Sequence, residues 1–317
     1  VTYLFSRELD PENKESAYLA ILGAIGDSQE AKNGFTGLNK EILNDALSTG
    51  KLEVKTGLRM FGSQTRPLYK VLEYSTDPYI PGITGNEQAA IAFLDEINID
   101  QNRKLSNLSE DELKNLVAAI IIKRMGSETD PEDVLGNIYL LKDQPEESPT
   151  KELKEFSTLL NSCGRLNKPS LGIGTCLNDK SSYEAAISLL VEYKKELIDS
   201  LNWFYKNKNS NSVIEGQGLV ILNAEDKIRD TLIGTVTSMI AKSNIYQPGT
   251  ILISLAHTLE ADTKISIRIS GRGQNVDLME ILNNIAVKIG CQAGGHAFAA
   301  GSIIPQEREQ EFISAAL

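Results

Sequence analysis

The chain has two histidines, and one of them, His296, follows Gly294 and Gly295 and precedes Ala297-Phe298-Ala299-Ala300-Gly301. Glycine lets backbone N–H groups approach a ligand closely and tolerates positive φ. Two glycines ahead of an imidazole make a small donor-rich concavity suited to an anionic oxygen. As plain structure, the stretch reads as a tight Gly-Gly turn with a buried, satisfied histidine. Asp27, after Gly26, offers a carboxylate, a hard oxygen ligand for Mn2+ or Mg2+. Two such ions can generate a hydroxide and clamp a phosphodiester through its displacement. An aspartate after a glycine at a helix end is also ordinary turn chemistry.

Arg165 follows Gly164. Its guanidinium can grip a phosphate in a bidentate fork, or cover the last carbonyls of a helix. Ser266 and Arg268 stand two apart in the alternating run Lys264-Ile265-Ser266-Ile267-Arg268-Ile269-Ser270. Residues at that spacing share a strand face, and a hydroxyl beside a guanidinium suits a phosphate. The competing reading is an exposed strand face. His257 has no motif around it and is expected at the end of a strand. Trp203, Tyr69 and Phe298 can stack on bases, but core packing is the expectation for each. Gly172-Ile173-Gly174 lacks the strand-turn-helix setting of a dinucleotide site.

These residues need elements to hold them. Asp10-Pro11-Glu12 is a helix start, and Tyr18, Ile21, Leu22 and Ile25 recur at helical spacing up to Gly26. A second helix is expected over Asn39–Ser48, and an extended stretch near Leu68–Glu73. Spacing near 3.6 predicts helices over Asn86–Ile97, Ser109–Met125, Asp130–Leu141 and Thr150–Leu160. Acidic residues outnumber basic ones two to one between Glu87 and Glu155. That charge reads as solvated helix faces or as a docking surface for a basic partner. A long helix is expected over Ser182–Lys206, then a turn-rich linker ending at Ser212. Leu219–Leu222 and Ile251–Leu255 read as buried strands, and Lys264–Ser270 as a half-buried one. Helices fit Ile228–Ser243, Asp277–Ile289 and Glu307–Leu317. Alternating strands and helices over 213–317 make an α/β domain.

The chain of 317 residues, 41% of them apolar, has room for two domains with cores. A net charge of −11 argues against a protein coated in basic surface, though not against a narrow basic groove. Three cysteines, an odd number without zinc-ligand spacing, make neither a disulfide framework nor a zinc site. They fit a cytoplasmic protein. No signal peptide is visible, and the longest apolar run, Leu116–Ile122, is too short for a bilayer, so no membrane partner is expected. The opening Val1-Thr2-Tyr3-Leu4-Phe5 reads as the middle of an element, so a preceding segment is expected to be missing.

Three segments carry a family resemblance. Gly294-Gly295-His296 resembles the GGH signature of the DHH-associated domain of DHH-family phosphoesterases. Ala20-Ile21-Leu22-Gly23-Ala24-Ile25-Gly26-Asp27 resembles the last metal-binding motif of the DHH catalytic domain. Asn161-Ser162-Cys163-Gly164-Arg165 is similar to the Asn-Ala-x-Gly-Arg segment of RecJ-type exonucleases, with serine in place of the alanine. The stretches Arg59–Pro67 and Tyr74–Tyr79 resemble archaeal RecJ-like nucleases, which include the GINS-associated nuclease. The resemblance implies an α/β fold in four parts. Residues 1–80 form the end of a DHH catalytic domain and 81–157 an acidic helical insert. Residues 158–212 are a connecting segment with a long helix, and 213–317 a DHH-associated substrate-binding domain.

It also implies a metal-dependent exonuclease that releases mononucleotides from single-stranded DNA or RNA. Asp27 becomes a catalytic ligand of two divalent ions, Mn2+ or Mg2+, whose other ligands and Asp-His-His triplet precede residue 1. The fragment alone is then expected not to cleave. Arg165, Ser266, Arg268, Gly294, Gly295 and His296 become substrate-binding residues, with His296 facing Asp27 across a crevice too narrow for a duplex. The alternatives are a noncatalytic replication scaffold binding the GINS complex through the insert, and a phosphodiesterase for short oligonucleotides or cyclic dinucleotides.

Overall fold

Asp10 accepts a hydrogen bond on its side chain from the Glu12 N–H (2.9 Å), and Pro11 fixes the first φ of a short 3-10 turn. From that start the chain enters its first apolar helix. The computed structural model describes residues 1–31, 34–75, 78–125, 131–243, 245–271 and 276–317, which group into two compact units, 1–189 and 190–317.

The first unit opens with α1 (Thr2–Leu9), α2 (Ala17–Gly26), α3 (Gly37–Ser48), β1 (Leu52–Leu58), α4 (Leu68–Glu73) and α5 (Glu87–Glu96). It continues with α6 (Glu110–Arg124), β2 (Leu135–Leu141), α7 (Leu153–Arg165), α8 (Pro169–Cys176) and the start of α9 (Lys180–Asn207). Ser109 and Glu112 close a reciprocal capping box on α6. β1 and β2 pair antiparallel from Leu52↔Leu141 to Leu58↔Leu135. α2 packs on α3 and α7, and its Ala17 and Ile21 are fully buried. A separate core gathers Leu68, Leu72, Leu94, Leu116, Ile120 and Val134.

Three sequence expectations need correcting here. Leu68–Glu73 is helical, not extended. Leu68, Val71 and Leu72 are buried at helical spacing behind Pro67, and six residues were too few for the period to show. Asp130–Leu141 is not a helix. A 3-10 turn at Pro131–Val134 runs into β2, because the pairing with β1 outweighs the weak helical spacing; Asp130 lies outside the described residues, as do Thr76 and Asp77. The helix expected from Thr150 begins at Leu153 and runs on to Arg165.

The second unit follows with β3 (Val213–Gly216), β4 (Leu219–Asn223), α10 (Asp230–Lys242), β5 (Ile251–His257) and β6 (Asp262–Ile269). It ends with α11 (Leu278–Lys288), β7 (Ala293–His296), β8 (Ala299–Pro305) and α12 (Glu309–Ala316). The strands form one sheet in the order β3-β4-β5-β6-β8-β7. Only β4 and β5 pair parallel, joined by α10 as the crossover. α10 packs on β5 and β6, and α11 on β6, β7 and β8. Ile265 and Ile267 of β6 share a core with Leu278 and Leu282 of α11, while Ser266 and Arg268 lie under Gly234 of α10. The two helices therefore cover opposite faces of the sheet.

Candidate functional site

β7 and β8 are a hairpin whose turn is Ala297-Phe298, since His296 pairs with Ala299. Gly294 and Gly295 are therefore strand residues, which corrects the Gly-Gly turn. The Ala297 carbonyl accepts from the Leu278 N–H at the start of α11 (2.9 Å), tying the hairpin tip to that helix. Gly295 has φ +139, and a Cβ there would stand 2.4 Å from the Ala299 carbonyl oxygen. No other residue fits. A Cβ on Gly294 would meet nothing within 4 Å. His296 is exposed. Its Nδ1 accepts from the Phe298 N–H (3.2 Å), which turns Nε2 away from that bond. The ring meets Phe298 edge to face at 6.2 Å between centroids. Phe298 is 70% exposed, so the core-packing expectation for it is wrong; a two-residue turn gives its ring nothing to pack under. Tyr69 does pack against the first unit's core.

The register gathers the second unit's candidates on one face. Ser266 pairs with Gly301, and Gly301 pairs with Gly294, so the three form a row across β6, β8 and β7. Directly opposed residues share a face, and so do residues two apart along a strand. Arg268 and His296 therefore stand on this face too, both one step from the row in the same direction. The step from β6 to β7 is about 10 Å, two interstrand spacings. α10 covers the β5–β6 part of the face. Ser266 is only 5% exposed, so the strand face is not bare there. The glycines in β8 and β7 leave the row shallow where it emerges.

Arg268 is half-buried and already engaged. Its Nε donates to Ser238 Oγ on α10 (2.8 Å), and its Nη1 donates to the carbonyls of Ile267 (2.7 Å) and Ala300 (3.4 Å). A phosphate reaching this guanidinium must compete with a hydroxyl and two carbonyls. His296 and Phe298 meet no such competition. Phe298, named among the possible stacking residues but expected in the core, is exposed because of its position, an aromatic in a two-residue hairpin turn after GGH. His257 stands at the end of β5 as expected, held by Asp226 (3.3 Å) and Glu309 (3.1 Å).

In the first unit, Asp27 is the exposed residue that caps α2. Its Oδ2 accepts from Gln29 Nε2 (2.7 Å), and Gln29 Oε1 accepts from Asn39 Nδ2 (2.9 Å). Arg165 is the exposed last residue of α7. Behind it Ser162 donates to the Leu159 carbonyl (2.7 Å) and is buried, as a small residue in the motif requires. Among the described residues no three His, Cys, Asp or Glu side chains could hold a metal ion. One exposed carboxylate does not make a two-metal centre.

The segment from Met60 to Pro67 is pinned by two buried carboxylates of α7 and its entry. Glu152 accepts from Ser63 Oγ (2.6 Å). Glu155 accepts from the Gln64 N–H (3.1 Å) and Thr65 Oγ1 (2.7 Å). Burial, reinforced by the Glu155 charge, pushes the Glu152 carboxyl up to about 7 against the Ser63 hydrogen bond. Arg66 stacks on Phe61 (4.8 Å) and Tyr74 (5.2 Å), and burial lowers its pKa.

Residues 60–136 match the DHH-CID domain, and residues 216–317 match the DHHA1 domain. The chain is 30% identical over 318 residues to an uncharacterised protein of Methanocaldococcus jannaschii, covering 99% of this chain and 65% of that one. It thus spans just under two thirds of that relative's length. Among solved structures, CDC45 from Entamoeba histolytica has a similar fold, with TM-score 0.52, 10% identity, and coverage of 84% of this chain and 57% of that chain. RecJ in complex with Mn2+ from Thermus thermophilus aligns with TM-score 0.40 and 13% identity over 52% of this chain and 23% of that one.

Proposed function

Because the chain carries the DHH-CID and DHHA1 domains of the DHH family, we propose that it is part of a RecJ-like, metal-dependent exonuclease acting on single-stranded DNA or RNA. The observation that carries this reading is the row Ser266–Gly301–Gly294 with Arg268 and His296 beside it. A sheet face without Cβ atoms at its centre, edged by an imidazole and an exposed aromatic, accommodates a phosphate and stacks a base. Such a platform tolerates any sequence, because every base has a π-face. In this reading the second unit holds the strand. Arg165 adds a backbone contact from the first unit, and Asp27 supplies one carboxylate to a centre of two Mn2+ or Mg2+ ions. The domain limits given above, 1–80, 81–157, 158–212 and 213–317, belong to the same proposal.

The test is a nuclease assay of the full-length protein with Mn2+ on end-labelled DNA and RNA strands, wild type against Asp27→Ala. Loss of cleavage in the variant is expected. Full activity in the variant would remove Asp27 from the metal centre.

A second reading has one observation of its own, the similarity in fold to CDC45. In that reading the protein is a noncatalytic scaffold of a replication complex, and the acidic helices dock a partner such as GINS. Absence of any cleavage by the wild type, together with a stable complex with GINS on gel filtration, would favour it.

A further inference from the structure

A cavity of about 420 Å3 lies in the first unit, lined from α2, α7, α8, the start of α9 and the loop 142–150 that follows β2. That volume falls in the range of small-molecule sites, roughly 300–1,000 Å3. Four of its polar side chains form a hydrogen-bonded chain whose direction is fixed. Thr150 Oγ1 donates to Gln144 Oε1 (2.6 Å). Its one proton is then spent, so toward Ser148 Oγ, 2.7 Å away, it accepts and the serine donates. Ser148 in turn has no proton left for Tyr183, so across 3.2 Å the phenol donates to it. The Thr150 N–H fills the other lone pair of Ser148 (3.2 Å).

Ser148 and Thr150 are buried, while Gln144 and Tyr183 at the two ends are half-buried and line the cavity. The ends are left unlike. The Tyr183 oxygen keeps an open acceptor side. Among the described residues the Gln144 Nε2 amide has no partner, and a half-buried donor without an acceptor is costly. An occupant must offer a donor to the tyrosine and an acceptor to the glutamine. Tyr18, Phe156 and the rings of Pro145 and Pro149 add flat apolar wall. The charges work against an anion. The exposed Glu146, Glu147 and Asp179 share the lining with one ammonium, Lys180, and that ammonium faces Glu184 (3.9 Å). A phosphate placed there meets three carboxylates and no free cation. A nucleoside meets all of these conditions, since its flat base and its ribose carry both donors and acceptors on a neutral frame.

We propose that this cavity binds a phosphate-free nucleoside, seated between the Tyr183 oxygen and the Gln144 amide. The occupant would bridge α2, which leads to Asp27, and α7, which ends on Arg165. The assignment does not rest on the nuclease reading.

Titration calorimetry of the full-length protein with adenosine, guanosine, cytidine and uridine, each beside its 5′-monophosphate, tests it. At least one nucleoside is expected to bind, and its monophosphate at least about tenfold more weakly. Gln144→Glu keeps the acceptor for Thr150 but puts a carboxylate oxygen where the free amide donor stood. It is expected to weaken nucleoside binding at least about tenfold. Tyr183→Phe, which removes the acceptor, is expected to weaken it too. Both substitutions conserve shape, and either one suffices if the other fails to fold.

Failure of all four nucleosides to bind wild type overturns the site. Equal nucleoside binding by wild type and both variants overturns it as well. Monophosphates bound as tightly as nucleosides overturn the phosphate-free assignment. Neither metal nor strand enters the assay, so a failed nuclease reading leaves each of these outcomes intact.

Discussion

Ser266 and Gly294 lie in one row across the sheet with Gly301 between them, one end under α10 and the other exposed. Gly234 makes the covered end possible, since a Cβ there would stand 3.1 Å from Ser266 Oγ and 3.3 Å from Arg268 Nη2. The helix approaches the strand closely at that point and aligns the arginine along the sheet. The polar groups of this face therefore divide between a positioned, occupied guanidinium and an exposed imidazole with its aromatic neighbour.

That division predicts different outcomes for two substitutions. His296→Ala should weaken single-strand binding without changing the melting temperature, because the ring is exposed and its one hydrogen bond is local. Arg268→Ala should lose binding and also stability, about 1–3 kcal/mol, because Ser238 and two carbonyls lose their donor. If Arg268 contacts a phosphate, the slope of log affinity against log salt should also fall by about one. Fluorescence anisotropy across a salt series, alongside thermal melts, reads both.

Phe298→Ala should reduce strand affinity by about 1–3 kcal/mol through lost stacking, with the fold intact because the ring is mostly in solvent. An unchanged affinity for homopolymers of each base would remove it from the platform.

The two glycines of the hairpin should respond in opposite ways. Gly295→Ala forces both a disfavoured φ and a clash with the partner strand, and should cost about 1–3 kcal/mol or more. Gly294→Ala meets open space and should leave the urea midpoint where it was, while its methyl, standing on the His296 face, weakens binding. Equal destabilisation by both would contradict the register.

Glu152 gives stability a pH dependence. Its carboxyl is raised from 4.5 to about 7 in the folded chain. Below 4.5 folded and unfolded forms are both protonated, and the contribution is at its maximum. Between 4.5 and 7 the unfolded chain releases the proton first, so stability falls as pH rises, by up to on the order of 3 kcal/mol. Glu152→Gln should flatten that decline and be the more stable form at pH 8. Urea midpoints at pH 5 and 8 measure it. A wild type whose midpoint does not fall between those values would contradict the buried, protonated carboxyl.

Local patterns carried much of the fold into the sequence. The acidic first turn after Ser109, the apolar spacing of α2 and the apolar runs of β4 and β5 each state their element within a dozen residues, because caps and periodic burial are local physics. Asp27, Arg165 and the GGH segment stood out as candidates for the same reason. What the sequence withheld is what depends on pairing. Leu135–Leu141 becomes a strand through β1, which lies some eighty residues earlier. Gly294 and Gly295 become strand residues through β8. Ser266 and Arg268 share a face by spacing alone, but only the register brings Gly294 and His296 to the same face. The Arg59 side chain lies across Gly136 only because the β1–β2 ladder, which pairs Gly136 with Gly57, sets that register. Each of these depends on which backbone hydrogen bonds a segment makes with a distant one, and a chain read in order does not contain that choice.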